Sequence, residues 1–287
     1  MQPPRSPERS IIHRYRVADP DGHTVYLVHP GALDTSVHRG LAQALPAGVG
    51  LTVLDLSGLP EYWQAALTGG RATTTVEDLA FRLLTALHVD HICGSYVLAG
   101  WSFGGVVAHA MAGLPTSHRR PERLVLLDSI APVEAYKQDD DVLEPSLLLG
   151  WFTMYLGAKR GRTVPLDAVR LANLGVDDGL KLVLEAAIAA EVLLPSTPLP
   201  GLRKLYDTYV DGLLRNNRLT NPYRPLPAPL PVLLAKAERS LIPQDRTMGW
   251  ESLAPHGLEV HSCPGDHYTM LIRADAAAVI ASLLRPA

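Results

Sequence analysis

The sequence predicts an α/β fold: a mostly parallel, doubly wound sheet with helices on both faces and a helical lid insertion over its carboxyl edge. Three observations lead there. Short apolar runs alternate with longer amphipathic segments, the pattern of strands joined by crossover helices. A serine lies between glycines where such a run meets a helix, in Gly100-Trp101-Ser102-Phe103-Gly104. Roughly 100 residues then separate two successive strand-like runs, far beyond the few residues of an ordinary connection.

In chain order, the polar, Pro-rich start Met1-Gln2-Pro3-Pro4-Arg5-Ser6-Pro7 reads as a leader, followed by an edge strand around residues 11–17. Thr24-Val25-Tyr26-Leu27-Val28 is the first core strand, and a helix near residues 37–45 leads to the strand Leu51-Thr52-Val53-Leu54-Asp55. Thr74 and Glu77 fit a T-x-x-E capping box that opens a helix ending near Leu87. Ser95-Tyr96-Val97-Leu98-Ala99 is a buried strand, the segment from Gly105 to Met111 has the apolar face of a helix, and Arg123-Leu124-Val125-Leu126-Leu127 is a strand ending at Asp128. The long interruption holds a strongly apolar stretch at 147–156, helical spacing at 180–188 and a further helix at 202–214. A Pro-rich segment at 223–231 makes a stiff, extended return to the strand Pro231-Val232-Leu233-Leu234-Ala235. The strand Leu258-Glu259-Val260-His261-Ser262 and a helix over about 269–284 close the chain. The expected organisation is a leader and edge strand at 1–23, a core at 24–130 and 231–287, and a helical lid at 131–230. No internal repeat is visible.

The serine motif has a steric logic. A strand-to-helix turn this sharp strains the serine backbone and leaves no room for Cβ atoms beside it, which calls for glycine. The hydroxyl is pushed out above the sheet, with a helix N-terminus behind it. A serine hydroxyl is a poor nucleophile at neutral pH, so the chemistry requires a histidine base and an acid that orients it. On such a scaffold these follow in the order acid, then histidine.

Among 11 histidines, His267 stands out, because Pro264-Gly265-Asp266-His267-Tyr268 is a loop between the last strand and the last helix. His13, His23, His38, His91, His118 and His256 read as capping or surface residues, His261 as a packed or edge residue, and His109 as structural. Two aspartates compete for the acid. Asp128 and Asp245 both lie past the carboxyl ends of strands, where open α/β sheets build their sites. Spacing does not separate them, and one must be an ordinary cap or turn residue.

Four segments carry a family resemblance: Tyr26-Leu27-Val28-His29-Pro30-Gly31, Gly100-Trp101-Ser102-Phe103-Gly104-Gly105, Leu126-Leu127-Asp128-Ser129 and Gly265-Asp266-His267-Tyr268-Thr269-Met270-Leu271. Together they resemble the thioesterase domains of nonribosomal peptide synthetases and polyketide synthases, which have the α/β-hydrolase fold. Arg215-Asn216-Asn217-Arg218, with Tyr223-Arg224-Pro225, resembles the segment leading out of that family's lid. The likeness runs from about Tyr26 to the C-terminus. It implies Ser102 as nucleophile, His267 as base and Asp128 as acid, with Asp245 second. It implies an oxyanion hole from the backbone N–H of Phe103 and one near Ala32, where the family often carries another glycine. It also implies release of an acyl or peptidyl chain from a phosphopantetheine thioester on a carrier protein, by hydrolysis or cyclisation, with neither cofactor nor metal required.

Composition agrees with a catalytic α/β domain. Of 287 residues, 47% are hydrophobic, enough for a sizeable core, and the net charge of −3 gives no reason to expect nucleic acid or an anionic membrane surface. Cys93 and Cys263 lack metal-ligand spacing and suggest no disulfide framework, and Cys263 reads as a small buried side chain. No apolar signal core is present, and no run reaches the ~18 apolar residues of a membrane span, so a cytoplasmic location is expected. Trp151, Phe152, Met154 and Tyr155 read equally as lid packing or as pocket lining. His118-Arg119-Arg120-Pro121-Glu122-Arg123 reads as a solvated turn, and Lys159-Arg160-Gly161-Arg162 as a charged lid loop that could meet an acidic carrier. Two other readings stay open: a serine esterase or amidase on small diffusible substrates, and a non-catalytic scaffold of the same fold.

Overall fold

A computed structural model describes residues 10–67, 74–89, 96–115, 120–166 and 168–285. Its strands are β1 (Ile12–Arg16), β2 (Thr24–His29), β3 (Gly50–Asp55), β4 (Tyr96–Trp101), β5 (Leu124–Leu127), β6 (Val232–Arg239) and β7 (Leu258–Asp266). They form one sheet in the order β1-β3-β2-β4-β5-β6-β7, with β1 antiparallel to β3 and every other pair parallel. The order reverses around β2 and β4, and the carboxyl ends of β2, β4 and β5 are therefore neighbours. That is the place where a doubly wound sheet opens a crevice.

Side chains alternate between faces, as the two-residue period of a strand requires. Val25, Leu27, Val97, Ala99, Val125 and Leu127 join one buried cluster with Leu41 and Ile280, from α1 (Arg39–Ala44) and α9 (Ala274–Leu283). Tyr26, Val28, Leu98, Leu124 and Leu126 join the other, with Leu83 and Val107, from α3 (Val76–Val89) and α4 (Phe103–Gly113). Both faces are covered, which is why these strands read as continuous apolar runs rather than alternating ones.

Local details depart from the sequence reading in three places. A helix, α2 (Pro60–Leu67), precedes α3 and was not foreseen. The capping box sits one residue later than expected. The Thr75 hydroxyl accepts from the Asp78 N–H at 3.1 Å, and the Asp78 carboxylate accepts from the Thr75 N–H at 3.0 Å. Three consecutive threonines, Thr73 to Thr75, leave the sequence ambiguous about which one caps. Third, β7 runs through to Asp266, past a register shift opposite β6, and a short 3-10 turn at Thr269–Leu271 separates it from α9. The leader up to residue 9, Cys93, His91, and His118 and Arg119 of the basic turn lie outside the described residues.

Between β5 and β6 come α5 (Pro145–Ala158), α6 (Ala168–Leu171), α7 (Val176–Ala189) and the 22-residue α8 (Leu199–Thr220). Leu149, Phe152, Val183 and Tyr206 of this insertion are buried in the cluster shared with α1 and α9, while Leu219 joins the opposite cluster. The insertion thus continues both cores over the carboxyl edge of the sheet. Among the described residues no helix is long and apolar enough to cross a membrane.

Candidate active site

Ser102 follows β4 directly and caps α4, with φ 55° and ψ −129°. That backbone conformation is costly for a residue with a side chain, on the order of 1–3 kcal/mol, and persists only where the surroundings enforce it. Here the Ser102 N–H donates to Leu127 O at 3.0 Å, and Ser102 O accepts from the Gly105 N–H at 2.9 Å. The two glycines of the motif are required by close approach. A Cβ at Gly100 would lie 2.3 Å from Gly104 O, and one at Gly104 would lie 2.3 Å from Val28 O at the end of β2. The turn is closed by backbone against backbone, so no side chain can yield.

His267 lies immediately after β7 and is 1% exposed. Its Nε2 is 3.0 Å from Ser102 Oγ, and its Nδ1 is 2.7 Å from Asp128 Oδ2. Asp128 is fully buried at the end of β5 with φ 42°, and its second oxygen accepts from the Ala237 N–H of β6 at 3.0 Å. With Nδ1–H donated to the carboxylate, Nε2 is left to accept from the serine hydroxyl. The histidine loop is clamped from three sides. Trp101 Nε1 donates to His267 O at 2.9 Å, and its indole lies 5.1 Å from the imidazole. Asp266 Oδ1 accepts from the N–H groups of Tyr268 and Thr269 at 3.0 and 2.8 Å, while Arg239 donates to its other oxygen at 2.9 Å.

Of the two aspartates, Asp128 is the one hydrogen-bonded to His267. Asp245 is occupied elsewhere: Tyr136 donates to Oδ2, and the Thr247 N–H and hydroxyl donate to Oδ1 at 2.8 and 3.0 Å. The Tyr136 hydrogen bond and the Thr247 contacts hold its carboxyl below the usual range. Phe103, 6% exposed, opens α4, where an N–H has no partner within the helix. Ala32 lies exposed in the turn after β2, beside Gly31 with φ 78°. Cys263 is buried with its thiol pushed up to about 12 by burial, which keeps it protonated. Among the described residues no group of three or more His, Cys, Asp or Glu could hold a metal ion.

A cavity of about 630 Å³ opens between the sheet edge and the insertion. Ser102, Phe103 and Asp128 line its floor, and Leu147, Trp151 and Leu213 bring apolar side chains from α5 and α8. The aromatic residues of α5 divide: Trp151 faces the cavity, whereas Phe152 and Tyr155 are buried with Tyr206, Tyr209 and Tyr268. Met154 is partly buried against the same cluster.

Several groups around the site gave no sequence signal. His38 is not a surface residue. It is fully buried, with Nε2 3.1 Å from His29 Nδ1, and His29 Nε2 is 2.8 Å from Leu33 O across the Ala32 turn. Burial holds both imidazoles below the usual histidine range. Tyr62 of α2 is buried against Phe103, Pro30 and α8. The contacts of Tyr62 join residues far apart in the chain, and no local pattern announces them.

The thioesterase domain family matches residues 23–285. Aspulvinone E synthetase melA of Aspergillus terreus is 23% identical over 260 residues, covering 88% of this chain and 26% of that protein. Nonribosomal peptide synthetase apvA of Aspergillus terreus is 23% identical over 256 residues, covering 86% and 26%. The chain therefore spans about a quarter of the length of the curated relatives it matches. Among solved structures, the four-domain nonribosomal peptide synthetase holo-AB3403, bound to AMP and glycine, matches with a TM-score of 0.63 and 25% identity over 96% of this chain and 20% of its own. The NocB thioesterase domain, in covalent complex with a fluorophosphonate nocardicin G analogue, matches with a TM-score of 0.56 and 24% identity, over 95% of this chain and 99% of its own. The sheet is that of the α/β-hydrolase fold, and the chain belongs to the thioesterase domain family.

Proposed function

We propose that this domain releases an acyl or peptidyl chain from the phosphopantetheine thioester of a carrier protein, through an acyl-serine intermediate on Ser102. The observation that carries the reading is the continuous contact from Asp128 through His267 to Ser102, at 2.7 and 3.0 Å, on the floor of a largely apolar cavity. The family and the nonribosomal peptide synthetases among its relatives support a carrier-bound substrate.

In the first half-reaction His267 Nε2 takes the Ser102 proton as Oγ attacks the thioester carbonyl, and Asp128 holds the imidazole and stabilises the imidazolium. The oxyanion is met by the Phe103 N–H at the head of α4 and by an N–H of the Ala32 turn. Collapse expels the pantetheine thiolate, which receives its proton from His267. In the second half-reaction His267 activates water, or a hydroxyl or amine of the acyl chain itself, to release an acid or a ring. None of these steps needs a metal or cofactor.

Acyl and peptidyl thioesters loaded on a carrier protein test this directly, with the released products weighed by mass spectrometry. Wild-type protein should release an acid or a product lighter by one water. Ser102→Ala should lose several orders of magnitude in rate with its melting temperature unchanged, because a hydroxyl above the sheet adds little to packing. A fluorophosphonate should label Ser102 alone. Labelling elsewhere, or an active alanine variant, overturns the nucleophile. Faster turnover of small oxoesters than of carrier thioesters would favour a general esterase.

A further inference from the structure

Tyr62 is fully buried in α2, outside the catalytic trio and outside the cavity lining, yet it touches Phe103, Pro30 and α8. Its ring stacks parallel on Phe103, centroids 6.0 Å apart at 8°. Its hydroxyl lies 2.8 Å from Pro30 O, two residues before Ala32, and 2.7 Å from the side-chain amide of Asn216 on α8. Arg215, also on α8, donates to the same hydroxyl at 2.8 Å and lays its guanidinium 3.9 Å from the ring centre.

A phenol carries one proton, and a backbone carbonyl can only accept. Pro30 O and Asn216 Oδ1 both lie within reach of that one proton. The phenol oxygen in turn accepts from Arg215. Arg215 is 6% exposed, with its Nε unpartnered, and among the described residues no carboxylate lies within ion-pairing distance. Its charge rests instead on the faces of Tyr62 and, at 5.2 Å, Trp63. Burying a guanidinium without a counter-ion is costly, and its hydrogen bond to the Tyr62 hydroxyl and the two ring faces offset that cost. Arg215 locks α8 to α2 over the loop that bears one oxyanion donor and against the residue that bears the other.

We propose that Tyr62 is a positioning residue: through its hydroxyl and ring it holds both oxyanion donors in place and couples that placement to the seating of lid helix α8. This rests on the thioesterase reading above. An N–H aimed at a developing oxyanion acts only within a fraction of an ångström of its target, so slack in this loop weakens the transition state and not substrate binding.

The test is Tyr62→Phe, which keeps the ring stack and removes the hydroxyl. Expected is a kcat about 10- to 100-fold lower, with KM within about twofold of wild type. An alkyl boronic acid, which forms a tetrahedral adduct on Ser102, should lose affinity by the same factor. A thioether analogue of the substrate, which cannot react, should bind as before. Arg215→Met, which preserves packing on Tyr62 and Trp63 but donates no hydrogen bond, should move kcat and boronate affinity in the same direction by a smaller factor, and serves if Tyr62→Phe fails to fold. Equal kcat and boronate affinity in the folded variants, or a rise in KM alone, would overturn the assignment. If wild-type protein neither turns over thioesters nor binds the boronate at Ser102, the thioesterase reading falls first. If it does both and the variants match it, only the role of Tyr62 falls.

Discussion

The carboxyl edge of the sheet and the insertion above it face the same cavity, but they are built by different means. At the edge, the strand ends and the nucleophile turn are set chiefly by backbone groups. Gly104 admits no Cβ beside Val28 O, Ser102 is held at positive φ by Leu127 O and Gly105, and Asp128 is fixed by Ala235 O and the Ala237 N–H. In the insertion, positions are set by side chains: a cluster of Phe152, Tyr155, Tyr206 and Tyr209, and the bonds of Tyr209 to Tyr268 and of Arg215 to Tyr62. Close backbone contacts leave no room for a Cβ at Gly100 or Gly104, whereas side-chain packing admits many solutions of similar volume. The nucleophile turn sits on the first kind of constraint, the histidine loop draws on both, and the shape of the pocket rests on the second.

The sharpest way to break this contrast is to exchange the two strand-end aspartates for asparagine. Asp128→Asn should lower kcat by about 10³- to 10⁴-fold, because the amide favours the wrong imidazole tautomer. Asp245→Asn turns one of the two oxygens that accept from Tyr136 and Thr247 into a donor and should stay within about threefold in kcat, since it touches neither Ser102 nor His267. Steady-state rates on one thioester decide it, and the reverse ranking would move the acid to Asp245.

Acid should attack the body first. None of the 11 histidines lies between residues 131 and 230, while His29, His38 and His109 are buried in the body and held below the usual value by burial, His109 at about 4. A depressed histidine binds a proton more readily when unfolded. Stability is therefore full above pH 6.5 and falls as the pH drops from 6.5 toward 4, by about 3 kcal/mol for His109 alone. Denaturant melts at pH 7 and pH 5 should show this loss, and His109→Gln should lessen it. A midpoint that does not move between those values would contradict it.

The smallest effects sharpen the comparison most cleanly. Gly104→Ala should destabilise by at least about 1–3 kcal/mol, since its Cβ meets a backbone oxygen. Gly150→Ala, in the middle of α5, meets nothing within 4 Å and should stabilise by up to about 1 kcal/mol through helix propensity. Thermal melts of the two variants should move in opposite directions. Equal destabilisation would mean that the insertion is as tightly constrained as the edge.

Much of this molecule is legible in its sequence, for physical reasons that are local. Strands buried on both faces must be apolar throughout, so β2, β3, β4 and β5 could be found within a residue or two. The steric demand of a sharp turn writes Gly100 and Gly104 around Ser102 in one pentapeptide. The short helix α2 escapes a sequence reading because its 8 residues are too few to establish a helical period, and the cap of α3 is ambiguous because three threonines compete for it.

What the sequence determined alone was the class of fold, the family, and a short set of residues that could form a site, because each depends on neighbours in the chain. Which aspartate meets His267 was a different kind of question. Asp128 and Asp245 sit in similar local contexts, and resemblance alone ranked them. Only the parallel register of β5 with β6, and the reach of β7 to Asp266, bring the Asp128 carboxylate to the imidazole. Likewise no periodicity could join Tyr62 to Arg215, 153 positions away, or bury His38 against His29. Long-range pairing is chosen by which packing fills the whole core at once, and that choice exists only when the chain has folded.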